Sequence, residues 1–230
     1  MLSTLRIKGE CPRAGTSQLI PHDLVANCRQ FRAQGFHNLP KIIGCDPARY
    51  GDDRFAIVVR RGRQARILGK YRELDLVELA SRIIVFIDQE QPDAVVVDAD
   101  GVGAGAVDHI KHRNYGRSLF EFHGGMRAED SNAYYNKRAE CWMRMRDWLK
   151  AGAEIPDDPE LAIDLFGPEY GFSNKNQIQL EKKESMKDRG LASPDLGDAL
   201  AMTFAVKVAA RPKRKPQLIY TFPSANAWME

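Results

Sequence analysis

Four aspartates stand where a carboxylate is chemically expensive. Asp46 closes the apolar run KIIGCD (41–46), Asp98 closes AVVVD (94–98), and Asp195 and Asp198 fall within SPDLGDALAM (193–202). An ionised carboxylate at the end of a buried strand, or inside an apolar helix, needs a cation or several hydrogen bonds to offset its lost hydration. Read singly, three of them have ordinary explanations. Asp46 precedes Pro47 in a turn, Asp98 caps the glycine turn that follows it, and Asp195 complements a helix N-terminus. Asp198 resists that treatment, because its helix neighbours are Leu196, Ala199, Leu200, Met202 and Phe204. Three residues apart on a helix, Asp195 and Asp198 share a face. Brought together, the four acids would repel one another strongly unless cations bind. Hard oxygen donors suit Mg²⁺ or Mn²⁺, and two such ions activate water and stabilise a leaving oxygen in phosphodiester hydrolysis. Asp52, Asp53 and Asp100 lie close by in the sequence, where turn chemistry explains them equally well.

The elements that must position these acids follow from periodicity. Ile42, Ile43 and Cys45, then FAIVVR (55–60) across a Pro/Gly/Asp-rich turn, predict a β-hairpin. RILGKYR (66–72) predicts a third antiparallel strand. Leu76, Leu79, Ala80, Ile83, Ile84 and Ile87 recur at helical spacing, and Gln91-Pro92-Asp93 ends that helix. AVVVD reads as a strand buried on both faces, followed by a helix over 106–112 and a short strand over 118–122. Residues 132–150 predict the longest helix, whose Trp142, Met145 and Trp148 side reads as core. A short helix within 151–175, a strand over 177–181 and a charged helix over 182–189 follow. Ser193-Pro194-Asp195 predicts a helix start with Ser as cap, Pro first and an acid in the first turn; the helix is expected to run to about 210.

The pattern is α/β with a mixed sheet, three antiparallel strands and then parallel ones, flanked by helices. If the first and fourth strands are parallel neighbours, Asp46 and Asp98 project into the crevice beyond the strand ends, where open α/β sheets place their sites. Residues 1–40 read as an arm or linker, 41–210 as the domain, and 211–230, with RPKRKPQ, as a mobile basic tail.

With 230 residues, 43% hydrophobic and 28% charged, the composition is that of an ordinary soluble domain. A net charge of +3 is too small to argue a nucleic-acid partner, so the distribution of charge matters more. Cys11, Cys28, Cys45 and Cys141 show no C-x-x-C and no clustering, which points to reduced thiols rather than a disulfide framework. No apolar run approaches the ~20 residues of a membrane span. Arg60, Arg61, Arg63, Arg66, Lys70 and Arg72 place six cations and no acid in 13 residues. Such a hairpin either grips phosphates or protects a strand edge with charge. Lys182, Lys183, Lys187 and Arg189 are candidates for the other side of a DNA groove. His109 and His112 are spaced for zinc but lack partners.

Four stretches, RIKGECP (6–12), GCDPARYGDDRFAIVV (44–59), VVVDADGVGAGAVDHI (95–110) and KKESMKDRGLASPDLGDALAMTFA (182–205), resemble in order the C-terminal nuclease domain of tailed-phage terminase large subunits, the DNA-packaging motor. The resemblance implies a ribonuclease-H-like fold and cleavage of concatemeric double-stranded viral DNA with two divalent ions, Mg²⁺ or Mn²⁺. It makes Asp46, Asp98 and the acids Asp195 and Asp198 the metal ligands, with Asp46, Asp98 and Asp198 catalytic. It implies as partners the terminase ATPase domain and small subunit and the portal of the procapsid, and a location in the host cytoplasm, transiently at that portal. One departure is clear: GVGAG (101–105) lacks the Lys and Ser/Thr of a phosphate-binding loop. The chain is therefore expected to be the nuclease half only, excised or separately encoded, and not to hydrolyse ATP. A junction resolvase, an RNA–DNA hybrid nuclease and a non-catalytic DNA- or portal-binding module remain the alternatives.

Overall fold

Apolar side chains alternate along the central strands and so divide the core into two layers. The computed structural model describes residues 17–47, 55–101 and 103–210; RIKGECP, Asp52, Asp53 and the 211–230 tail lie outside them. Strands β1 (Lys41–Asp46), β2 (Phe55–Arg61), β3 (Gln64–Tyr71), β4 (Ala94–Asp98) and β5 (Leu119–Phe122) form one sheet in the order β3-β2-β1-β4-β5. β1 and β3 pair antiparallel with β2, whereas β4 runs parallel to both β1 and β5. This is the mixed sheet that the sequence predicts.

On one face Ile43, Cys45, Ile57, Val95 and Val97 pack beneath helices α2 (Leu76–Glu90) and α3 (Gly103–His112). On the other, Ile42, Ala56, Val58 and Val96 meet α1 (His22–Gln30), α4 (Lys137–Lys150), α5 (Pro159–Phe166) and α7 (Asp195–Met202). Between α5 and α7 the chain forms a small hairpin, β6 (Tyr170–Phe172) with β7 (Ile178–Leu180), and the short helix α6 (Lys183–Asp188). Gly44 sets the depth of one contact. A Cβ there would lie 1.9 Å from the Ala199 carbonyl oxygen, so α7 rests directly on the backbone of β1.

Four features differ from the sequence-based expectation. Leu19, Ile20, Val25 and Cys28 are buried in the core, and Cys28 Sγ donates to the Leu149 carbonyl at 3.5 Å. Part of residues 17–40, around helix α1, is thus packed against the domain; its apolar positions outweigh the surrounding turn residues. Helix α4 starts at Lys137, not 132, because the Asn136 side chain accepts from the Ala139 N–H at 2.9 Å and caps it there. Its 14 residues are fewer than the 15 of α2, which begins with a capping box between Asp75 and Glu78. Helix α7 stops at Met202, far short of 210: the N–H groups of Thr203, Phe204 and Ala205 turn to carbonyls three residues back, and Thr203 Oγ1 donates to the Leu200 carbonyl at 2.7 Å.

The fourth difference lies at the start of α7. Ser193 does not cap it; Pro194 occupies the cap position and offers no side-chain bond. The acceptor comes from α5, where Asp164 Oδ2 receives the N–H groups of Leu196 at 2.9 Å and Gly197 at 3.3 Å. Burial pushes the Asp164 carboxyl up to about 7, against the pull of the Gly197 N–H, and the charge of Asp195 adds to the rise. The folded protein then holds a proton that the unfolded chain has lost, so stability falls as pH climbs from about 4 to about 7. Asp164→Asn keeps an acceptor and removes the proton. Urea melts of the variant are expected to lose that slope and to lie above wild type at about pH 8; an unchanged slope would refute the assignment.

Candidate functional site

Parallel pairing of β1 with β4 sets Cys45 opposite Val97. Both of those side chains point toward α2 and α3, so by alternation the next residues, Asp46 and Asp98, point to the opposite face, beneath α7. The close seating of α7 at Gly44 then brings Asp198 to the same place. Asp46 and Asp198 are only 6% and 7% exposed, so hydration cannot balance either charge.

Each acid is treated differently by its surroundings. Asp198 is fully engaged. Its Oδ1 accepts from Arg138 Nε at 2.8 Å and Trp142 Nε1 at 2.7 Å, and its Oδ2 lies 3.2 Å from the second arm of Arg138 and 3.1 Å from Lys183 Nζ. Burial works to raise its pKa, but Arg138 and Lys183 prevail and hold it well below the ordinary carboxylate range. Asp46 has almost none of this support. Among the described residues its Oδ2 is buried without a hydrogen-bond partner, and the nearest cation, Lys183 Nζ, is 3.6 Å away. Burial pushes its pKa well above the ordinary value; Lys183 opposes this, while Asp198, Asp195 and Asp98 add to it. Burial also raises Asp98, whose Oδ1 accepts the Asp100 N–H at 2.9 Å. Lys183 itself is pushed upward despite burial, because Asp198 and Asp46 flank it.

Asp195 and Asp198 diverge. Asp198 lines a cleft of about 320 Å³ together with Asp98, Asp100, Arg138 and Lys183. Asp195, 8% exposed, lines a larger cleft of about 630 Å³ on the other side of the α7 N-terminus. Among the described residues no three Asp, Glu, His or Cys side chains are gathered into a ready metal cage. The acids come together with two cations already among them.

The cations predicted to hold DNA are placed variously. Arg60 is committed to the fold: Nε donates to Thr203 Oγ1 and a terminal nitrogen to the Thr203 carbonyl, both at 2.8 Å, while the guanidinium stacks 4.1 Å above Phe204. Burial lowers its pKa to about 10. Two of its three nitrogens and one face are thus engaged within the fold. Arg61 donates to the Leu39 carbonyl at 3.1 Å and Arg63 lies over Phe31. Arg66 pairs with Glu90 at 2.9 Å. Lys182 is exposed at the start of α6, and Lys183 turns into the acid cluster and lines the smaller cleft. His109 and His112 are exposed on α3, away from the acids.

Sequence reasoning missed Arg138, and it took Trp142 for core alone. A signal was present: the two lie four residues apart on one helical face, and a buried indole N–H requires an acceptor. Trp142 is wholly buried and meets that need at Asp198. Trp142→Phe, which removes the donor together with part of a buried ring, is expected to lower stability by at least about 2 kcal/mol in a urea melt, the worth of a hydrogen bond to a charged group with a cavity cost added. A change below about 0.5 kcal/mol would show that the bond carries little.

No protein-family profile matches the sequence, and no curated protein does. Solved structures match the fold. The nuclease domain of the large terminase subunit gp2 of bacterial virus Sf6 is 21% identical, with a TM-score of 0.72 over 83% of this chain and 99% of that one. The large terminase nuclease from thermophilic phage G20c with bound magnesium is 12% identical, with a TM-score of 0.60 over 84% and 98%. The HK97 bacteriophage large terminase is 11% identical, with a TM-score of 0.59 over 82% of this chain and 43% of that one. The sheet and its flanking helices are therefore those of terminase nuclease domains.

Proposed function

We propose that the chain is a divalent-metal-dependent endodeoxyribonuclease that cuts concatemeric double-stranded viral DNA during genome packaging. One observation carries the reading: Asp46, Asp98 and Asp198 converge from two strand ends and a helix, and Asp46 Oδ2 is buried there without a hydrogen-bond partner. Buried polar atoms in native proteins are nearly always satisfied, so this one calls for a ligand. A hard cation fits the oxygen donors on hand. The likeness to terminase nucleases, one of them with magnesium, supports the same choice.

Asp46, Asp98 and Asp198 would hold the metal, with Asp195 near enough to add to the field at Asp46. Two bound ions, Mg²⁺ or Mn²⁺, would supply an activated water and stabilise the leaving oxygen. The chain's own groups prepare the site. Arg138 and Trp142 fix the Asp198 carboxylate in one orientation, and Lys183 restrains the repulsion between Asp198 and Asp46. Burial beneath α7 excludes water, which strengthens each of these interactions. Contacts to phosphate carry no sequence information, so selectivity for sequence is expected to be low. The proposed partners are duplex DNA, the ATPase domain and small subunit of a terminase, and the portal of a procapsid.

The test is cleavage of supercoiled plasmid by the purified chain. Nicking and linearisation in Mg²⁺ or Mn²⁺, absent in EDTA, is the expected result. Tight plasmid binding with no cleavage in either metal would replace this reading with a non-catalytic binding module.

A further inference from the structure

The larger of the two clefts plays no part in holding the acid cluster together. It runs from the N-terminus of α7 between the end of β3, helix α5 and the loop that follows α6, and encloses about 630 Å³. That volume suits a small-molecule or nucleotide-sized ligand. Asp195 lines it and also acts on Asp46, so the cleft lies beside the acids.

Three features of its lining point to a ligand. Ser193 lines it and is only 5% exposed, yet its hydroxyl has no hydrogen-bond partner among the described residues and, as shown above, does not cap the helix beside it. Arg72 lines the rim, is exposed and makes no ion pair with a described residue, unlike Lys70, which Asp158 and Glu160 hold at 2.9 and 2.8 Å. Ile163 lines a wall and is 46% exposed, a large aliphatic group left in water on a helix whose other apolar residues are packed. An unpartnered hydroxyl, an uncommitted guanidinium and an apolar wall together match a sugar–phosphate unit.

We propose that this cleft seats a nucleotide of the bound DNA strand next to the scissile phosphate. Arg72 takes the phosphate, Ser193 donates to a phosphate or sugar oxygen, and Ile163 covers the apolar face of the sugar. The strand then crosses the N-terminal turn of α7 from one cleft to the other, with the acids at the crossing point. The inference rests on the nuclease reading and says where its substrate runs.

The test is equilibrium binding of a labelled DNA duplex by fluorescence anisotropy in EDTA, over a series of salt concentrations, beside plasmid cleavage. Ile163→Glu, which sets an acid on the exposed wall, is expected to weaken binding at least tenfold. Arg72→Ala is expected to weaken it and to flatten the slope of log K against log salt by roughly 0.9, one phosphate contact. Ser193→Ala is the discriminating variant. Removing an unpartnered buried hydroxyl leaves the unfolding midpoint unchanged or raised, whereas a role in DNA contact predicts weaker binding. Arg113→Ala, on the loop after α3 at the opposite end of the sheet, serves as the control and is expected to bind like wild type. Wild-type affinity and salt slope in all three cleft variants, with plasmid cleavage intact, would overturn this path and leave the nuclease reading standing. A wild-type protein that neither binds nor cuts DNA would overturn both.

Discussion

Asp46→Asn is expected to abolish metal-dependent plasmid cleavage while leaving the protein folded, and Asp198→Asn to lose both activity and stability. The contrast follows from the partners each acid has. Asp46 is buried with one oxygen unsatisfied and a single cation at 3.6 Å. In the absence of metal its charge is a burden to the fold, and the isosteric amide removes that burden. Asp198 instead terminates a network of Arg138, Lys183 and Trp142. Its neutralisation leaves a half-buried guanidinium short of its counter-charge, a change that costs about 3–5 kcal/mol where an ion pair is buried. Both variants should reduce the cleavage rate by more than about a hundredfold, the upper end of what losing an outer-shell partner alone produces. Asp195→Asn, in the other cleft, is expected to cost less than about tenfold on the same scale. Rates from plasmid nicking, read beside urea melts of the same preparations, decide the matter. Cleavage that survives both Asp46→Asn and Asp198→Asn would show that these acids are not the metal site.

A comparably large effect on stability is expected from Gly44→Ala. The added methyl would fall 1.9 Å from the Ala199 carbonyl oxygen and 3.2 Å from the Thr203 methyl. The nearer obstacle is backbone, so no rotamer change relieves it and α7 must lift from β1. Overpacking of this kind costs typically 1–3 kcal/mol and occasionally more; a backbone clash belongs at or above about 3 kcal/mol. That is a large share of the 5–15 kcal/mol by which domains are ordinarily stable. Because α7 also carries Asp198, activity should fall even at temperatures where the variant stays folded. Gly125→Ala, with open space around the new methyl, provides the comparison and is expected to melt like wild type. Equal melting of the two variants would mean that α7 is not seated as tightly as the geometry indicates.

The sheet was legible in the sequence because its strands are short, strongly apolar and closed by a charge. KIIGCD, FAIVVR and AVVVD announce both their limits and the faces they bury, and two of them end in acids of the proposed site. What escaped notice depends on contacts between distant segments. The cap of α7 is Asp164, some thirty residues earlier in the chain, and no local pattern distinguishes that aspartate from a surface acid. Arg138 looked like one cation among many on the polar side of α4 until tertiary packing set it against Asp198. The hairpin arginines are a different case. Their density suggested a surface for phosphate, but Arg60 is occupied by Thr203 and Phe204, and Arg66 by Glu90. Charge density along a sequence reports neither partners nor burial.

The acids that meet beneath α7 are drawn from residues 46, 98 and 198, and the last arrives only when the final described helix docks on the first strand. No fragment that ends before α7 contains the complete set. During synthesis the acid cluster therefore stays unassembled until α7 has emerged and docked, since domains close long-range contacts only after the segments that make them have emerged.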